Sequence, residues 1–242
     1  MIKEEIIFET KDIFKKFSNN PVIKNVSLKL HTYSFHAFIG PNGSGKSTFM
    51  KICAGEDKDY EGQVFFKNTL INNIKSKKSF LFFNNDLSFP ISWNAFEYVK
   101  NFSYFYNQEF PSSDKIITLF KQYKLFHNLK TKPNSFSSGE KKKLIVLLIE
   151  LIKPELVFLD EPDSGLDPEV REFVYARLQK ISKQGSSIFV SSHITSEIKN
   201  YIDYVTFLRD GEIKKSSKIC KPSDFDQIYE KIRKDYQDEN SF

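Results

Sequence analysis

Two stretches of the chain carry residue types at spacings suited to chemistry on a phosphate chain. Gly40-Pro41-Asn42-Gly43-Ser44-Gly45-Lys46-Ser47-Thr48 follows the apolar run Ala37-Phe38-Ile39 and has the Gly-x-x-x-x-Gly-Lys-Ser spacing of a P-loop. Gly43 and Gly45 permit a backbone that turns successive N–H groups inward, an anion cradle at the start of a helix expected near Lys46. Lys46 would lie on the outer phosphates as a point charge, and Ser47 would offer its hydroxyl to Mg²⁺. Leu156-Val157-Phe158-Leu159-Asp160-Glu161 reads as a buried parallel strand, four apolar residues bounded by Lys153-Pro154-Glu155 and Glu161-Pro162. Its acids stand at the C-terminal strand end, where ligands bind in open α/β sheets. Asp160 is placed to hold Mg²⁺, directly or through water, and Glu161 to polarise an attacking water. Together the stretches point to ATP hydrolysis.

Other segments must position these groups. Phe136-Ser137-Ser138-Gly139-Glu140 precedes Lys141-Lys142-Lys143 and apolar residues at 144, 147, 148, 151 and 152. That i, i+3, i+4, i+7, i+8 pattern predicts a helix with Ser137 or Ser138 as its N-cap, whose first N–H groups could take an anion. Ser164-Gly165-Leu166-Asp167 follows the acid-tipped strand. Ile188-Phe189-Val190-Ser191-Ser192-His193 is one more apolar strand, ending in a histidine.

In this order the five elements resemble the nucleotide-binding domain of ABC ATPases, in the export-type transporter branch, over nearly the whole chain. They are the P-loop at 40–48, the signature at 136–140, the acid-tipped strand at 156–161, the D-loop at 164–167 and the switch His193. The resemblance implies a P-loop NTPase (RecA-like) α/β core with an N-terminal antiparallel β subdomain and an inserted α-helical subdomain at about 85–135. The whole of 1–242 would be one ABC ATPase domain, ending in a helical tail at about 222–242. ATP and Mg²⁺ would be its cofactors, contacted at Asn42, Gly43, Ser44, Gly45, Lys46, Ser47 and Thr48, with Glu161 and His193 catalytic and Ser47 and Asp160 on the metal. Two such domains pair head to tail in the family, a homodimer in the simplest case. ATP on one P-loop is then completed by Ser137 and Gly139 of the other domain, with Asp167 of the D-loop at the nucleotide. The residue that stacks on adenine matches Phe17, and such stacking is worth about 1–3 kcal/mol per base.

Some positions depart from the family. Where a Gln usually ends the strand leading into the helical subdomain, the chain has Phe82-Phe83-Asn84-Asn85. The catalytic and metal role then falls to Asn84, with Asn85 as the alternative, and the shorter side chain would reach Mg²⁺ or the water through another water. Ser138 replaces the first signature glycine, Glu140 the signature glutamine, and Tyr33 a glycine ahead of the P-loop strand.

The 242 residues are enough for one full core. The longest apolar run, Leu144 to Ile149, is cut by Glu150, too short for the roughly 18 residues a membrane span needs, and Met1-Ile2-Lys3-Glu4-Glu5 turns acidic before a signal peptide could form. A soluble chain is expected, cytoplasmic and held at the inner face of the cell membrane through a partner. Cys53 and Cys220 lack metal spacing and read as free thiols. The net charge of +5 is mild, and Lys75, Lys77 and Lys78, like Lys214, Lys215 and Lys218, read as solvated surface, so no nucleic-acid partner is expected. Short strands are expected at Ile6-Ile7-Phe8 and Val26 to Leu30, and a hairpin from Val205 to Leu208 turning at Asp210-Gly211 into Glu212-Ile213. Phe225, Ile228, Tyr229 and Ile232 predict an amphipathic, docked C-terminal helix.

From Phe80 to Phe110, twelve of thirty-one residues are aromatic. One small subdomain can hardly bury them all, and exposed aromatic patches mark interfaces. Pro90 and Ser92 break the helical pattern, so Phe89 and Trp93 are expected in a loop lining a docking groove. The leading reading is therefore the ATP-hydrolysing subunit of an ABC transporter, an exporter, whose separate permease docks near Asn84–Tyr106. The stretch from Phe89 to Tyr106, and Ser191 to Ile198 after the last strand, look like that branch. The alternative is a non-transport ABC ATPase of the iron–sulphur cluster assembly type, resembled at 136–142 and 163–167. A third is a nucleotide-dependent regulator that binds ATP with little turnover.

Overall fold

The computed structural model describes residues 5–71, 80–193 and 197–239, the side chains of 236–239 excepted. Lys75, Lys77 and Lys78, the acidic start Met1 to Glu4, and Ile194, Thr195 and Ser196 lie outside the described residues.

Two sheets stack over one P-loop helix. The N-terminal sheet is antiparallel, in the order β2-β1-β4-β5, built from β1 (Ile6–Phe17), β2 (Asn20–His31), β4 (Glu61–Phe66) and β5 (Thr69–Leu70). The central sheet runs β10-β9-β3-β8-β7-β6. Here β3 (Phe35–Ile39), β6 (Phe80–Phe83), β7 (Leu156–Asp160), β8 (Ser187–Ser192) and β9 (Tyr204–Arg209) are parallel, and β10 (Glu212–Lys218) closes one edge as an antiparallel hairpin with β9. Every residue of β3, β7 and β8 is buried, and the apolar runs at 37–39, 156–159 and 188–190 are those of strands covered on both faces.

Alternation along these strands feeds two cores. Phe35, Ala37, Ile39, Val157, Leu159, Ile188 and Val190 join the helices α2 (Ala95–Asn107), α3 (Ser113–Gln122), α4 (Ser138–Ile152) and α5 (Pro168–Lys183). Phe38, Leu156, Phe158 and Phe189 face the other way, onto α1 (Lys46–Cys53) and the antiparallel sheet. The P-loop helix is thus gripped between the sheets. The C-terminal helix α6 (Pro222–Glu239) seats Phe225 and Tyr229 on Phe207, with ring centroids 5.5 and 6.1 Å away. Among the described residues no helix is long and apolar enough to cross a membrane.

Local sequence starts the helices. Asn94 caps α2 through a reciprocal box with Glu97, and Ser112 caps α3. One expectation is corrected here. Phe89 does lie in the loop before α2, but it is buried, edge-on to Tyr98 at 5.0 Å, with its N–H and carbonyl both bonded to the Asn134 side chain. It is core, too deeply covered to serve as a docking surface. With α4 packed beneath α2 and α3, the subdomain buries more aromatic surface than its small size suggested. What stays exposed is Ile91, Tyr104, Phe105 and Phe110, with Trp93 half-buried and stacked on Phe105 at 6.3 Å.

Candidate active site

Three strand ends and one helix start build the site. β3 delivers the P-loop, whose Gly43 and Gly45 take φ of +81° and +102°. A Cβ on Gly45 would meet Val22 O at 2.8 Å and Ile23 Cδ1 at 2.7 Å, so only glycine fits against β2. The first α1 bond runs from Phe49 N–H to Gly45 O (2.9 Å). The amides of Gly45 to Thr48 precede it and are those a helix start leaves without intrahelical acceptors. Ser44 Oγ is buried and has no hydrogen-bond partner among the described residues, while Asn42 and Ser47 are exposed and Thr48 is half-buried. Orphan donors around a left-handed glycine turn fit a phosphate chain.

Lys46 is buried, and its Nζ donates to Gly40 O (2.9 Å) and Pro41 O (3.1 Å). Burial lowers its pKa, and Glu161, Asp160 and Asp163 pull the other way. Glu161 Oε1 lies 4.0 Å from Lys46 Nζ and 3.7 Å from His193 Nδ1. The structure therefore brings together Lys46, Glu161 and His193, three residues drawn from distant segments. Asp160 is buried beside them. Ser191 Oγ donates to Asp160 Oδ1 and accepts the Glu161 N–H (3.0 Å), so one hydroxyl fixes both acids. Glu161 has φ +48°, a left-handed backbone that costs a non-glycine residue on the order of 1–3 kcal/mol and is found at sites that use the orientation it gives.

Ser191 is a residue the sequence reading missed, and so are Lys142 and Asp163. Lys142 Nζ, one turn into α4, donates to Glu161 O (2.8 Å) and Asn85 Oδ1 (2.8 Å). Burial lowers its pKa against the pull of Asp163, Glu161, Asp160 and Asp86. Its sequence signal was a lysine in register with the buried Ile145 and Ile149. Asn85, rather than Asn84, thus touches a group bonded to Glu161, and both asparagines are exposed. Asp163 is fully buried, with Oδ2 taking bonds from Tyr175 OH (2.7 Å) and Ser192 Oγ, the residue before His193. On the other side of His193, Glu197 is held by Arg171 Nη1 at 2.7 Å.

The remaining predicted residues sit elsewhere. Asp167 caps α5 through the Val170 N–H (3.0 Å). Ser137 caps α4 and is exposed, and a Cβ on Gly139 would press Val170 at 3.3 Å. Their contacts run to Glu140 and Val170, not to the Lys46 cluster. Phe17 ends β1 with its ring half exposed and the Lys15 ammonium 5.0 Å from its centroid. The same hairpin pairs Lys15 with Ile23, which lies against Gly45, and Phe17 follows two residues on, opposite Asn20.

With this geometry in place, comparison with known proteins is decisive: the ABC transporter family model matches residues 23–164. The chain belongs to the ABC transporter ATP-binding family. A Mycoplasma pneumoniae protein named as an ABC transporter ATP-binding protein is 31% identical over 212 residues, covering 86% of this chain and 65% of the relative. The lantibiotic transport ATP-binding protein SrtF of Streptococcus pyogenes is 27% identical over 211 residues, 86% of this chain and 89% of its own. A Bacillus anthracis ABC transporter relative, 31% identical, is spanned over only 39% of its length. The ABC fold is shared with a solved ATP-binding subunit of an ABC transporter (TM-score 0.77, 23% identity, 88% of this chain and 90% of that one). It is shared also with a dimeric cassette bound to ADP and Pi (TM-score 0.75, 24% identity, 88% and 98%).

In this ABC cassette Lys46→Ala should weaken nucleotide binding about ten- to hundredfold, since a hydrogen bond to a charged group is worth roughly 1.5–3 kcal/mol. A nucleotide titration of the purified protein checks it, and wild-type affinity would remove Lys46 from the phosphate site.

Proposed function

We propose that this chain is the ATP-hydrolysing subunit of an ABC transporter, working as a head-to-tail pair and driving a separate permease in the export direction. The observation that carries the reading is the convergence of Lys46, Glu161 and His193 on one point at the C-terminal edge of the parallel sheet. The P-loop amides and Lys46 would bind the phosphates, and Phe17 would stack on the base. Ser47 and Asp160 would hold Mg²⁺, which when bound neutralises phosphate charge. Glu161 accepts the proton of the attacking water, and His193, in contact with Glu161, orients that carboxylate. Asn84 or Asn85 would meet the same water, and Lys142 links Asn85 to the Glu161 backbone. The names of the relatives favour transport over the iron–sulphur cluster reading.

Ser137 and Gly139 stand away from the Lys46 cluster, which supports their serving the nucleotide of a second copy, with Asp167 at the same seam. Residues 85–135 are the helical subdomain of this reading. The exposed Ile91 and Phe105, with Trp93 beside them, replace Phe89 as the apolar ground for the permease. Membrane association would come through that permease.

Ser137→Arg tests the pairing. Binding of ATP to the isolated monomer should be unchanged, because Ser137 does not touch its own P-loop cluster. Hydrolysis should fall roughly ten- to hundredfold, the loss expected when one bond to a charged phosphate is removed. Equal loss of monomer binding would sink the head-to-tail arrangement.

A further inference from the structure

The signature of this chain carries a charge where the family commonly has a neutral amide. Glu140 closes a reciprocal cap on α4. The Glu140 N–H donates to Ser137 Oγ (3.3 Å), while Glu140 Oε2 accepts both the Ser137 N–H (2.9 Å) and the Ser137 hydroxyl (3.0 Å). A serine has one hydroxyl proton, and here it is spent on the carboxylate. The other oxygen, Oε1, accepts from Asn128 Nδ2 (2.5 Å) and lies 3.5 Å from His127 Nε2, so the 126–128 turn holds the carboxylate in place over Ser137. Burial pushes the Glu140 pKa up, but bonds from Ser137, Asn128 and His127 outweigh it and hold the carboxyl below its ordinary value. It is therefore an anion at neutral pH.

We infer that Glu140 is a charge brake on closure of the ATP-bound pair: its carboxylate competes with the partner's terminal phosphate for the Ser137 hydroxyl and repels that phosphate. The inference rests on the head-to-tail reading above. In the open chain, Ser137 is committed to an intramolecular acceptor. Closure must transfer its proton donation to phosphate while a like charge stays within a side chain's length. Asn128 keeps the brake engaged, because it ties the carboxylate to the helical subdomain and prevents it from swinging into solvent.

Glu140→Gln is the clean probe, because glutamine serves a capping box as well as glutamate does. It removes the charge and leaves the fold. With ATP, the variant should dimerise at lower protein concentration and turn over roughly five- to tenfold faster, the size of one removed charge repulsion across about 4 Å of water. Its melting temperature should be equal to wild type or about 1–4 °C lower, since an acid in the first helical turn stabilises the helix. Turnover thus rises with no gain in stability, which a purely structural role for Glu140 does not produce. The ratio of variant to wild-type turnover should also shrink towards one as salt rises from about 0.05 to 0.5 M, because the repulsion is screened. ATP-driven dimerisation and turnover within twofold of wild type at low salt would overturn the brake. Ser137→Arg is assayed in parallel. If it loses hydrolysis while Glu140→Gln is unchanged, the pairing stands and the brake falls, and if Ser137→Arg hydrolyses like wild type, both fall.

Discussion

Glu161→Gln should retain ATP binding and lose turnover by roughly 10²–10⁴, the range for removing a positioned general base. The amide keeps the shape of the carboxylate but accepts no proton. Its oxygen would no longer stand as a charge between Lys46 Nζ at 4.0 Å and His193 Nδ1 at 3.7 Å. Folding should be untouched, because the anchors of this residue are backbone ones: its N–H on Ser191 Oγ and its carbonyl on Lys142 Nζ. A phosphate-release assay beside an equilibrium nucleotide titration separates the two effects. Turnover within a factor of two of wild type would take Glu161 out of the mechanism and leave the regulator reading standing.

Phe89→Ala should destabilise the chain by about 3–5 kcal/mol, the usual loss for truncating a buried aromatic. For a chain of this size that lowers the melting temperature by roughly 6–20 °C. Phe89 is buried against Tyr98 and its backbone is bonded twice to Asn134, so little can collapse into the space. Phe105→Ala, at a ring 60% exposed, should change stability by no more than about 0.5 kcal/mol. It should still weaken capture of the proposed permease. A thermal melt and a pull-down on each variant decide the matter, and a Phe89 variant melting within 2 °C of wild type, well short of about 6 °C, would return that ring to the surface.

Local rules made the elements legible. The P-loop helix begins at Lys46, α4 is capped by Ser137, β7 ends at Asp160, and the hairpin turns at Asp210-Gly211, all because short-range spacing and glycine or cap chemistry decide them. The supporting residues of the site were not legible for the opposite reason. Ser191 reaches Asp160 across β7 and β8, Lys142 reaches Glu161 from α4, and Asp163 reaches Ser192 on a neighbouring strand. Such pairs are chosen by strand order and helix docking, neither of which leaves a spacing to read. Phe89 shows the same limit from the other side. Pro90 and Ser92 correctly announced a loop, but whether a loop ring is covered depends on α2 to α4 packing over it.

Ser192 and Glu197, the one before His193 and the other four residues after it, are both tied to one helix. Ser192 hangs on Asp163, which Tyr175 of α5 also grips, and Glu197 hangs on Arg171 of the same helix. Asp167, which the proposed pairing puts at the seam with a second copy, is the cap of that helix. His193 and the 164–167 loop are therefore mounted on a common lever. A small rotation of α5 would displace both in step, and in the proposed pair a change at one nucleotide would then be carried as rigid-body motion to the edge facing the other.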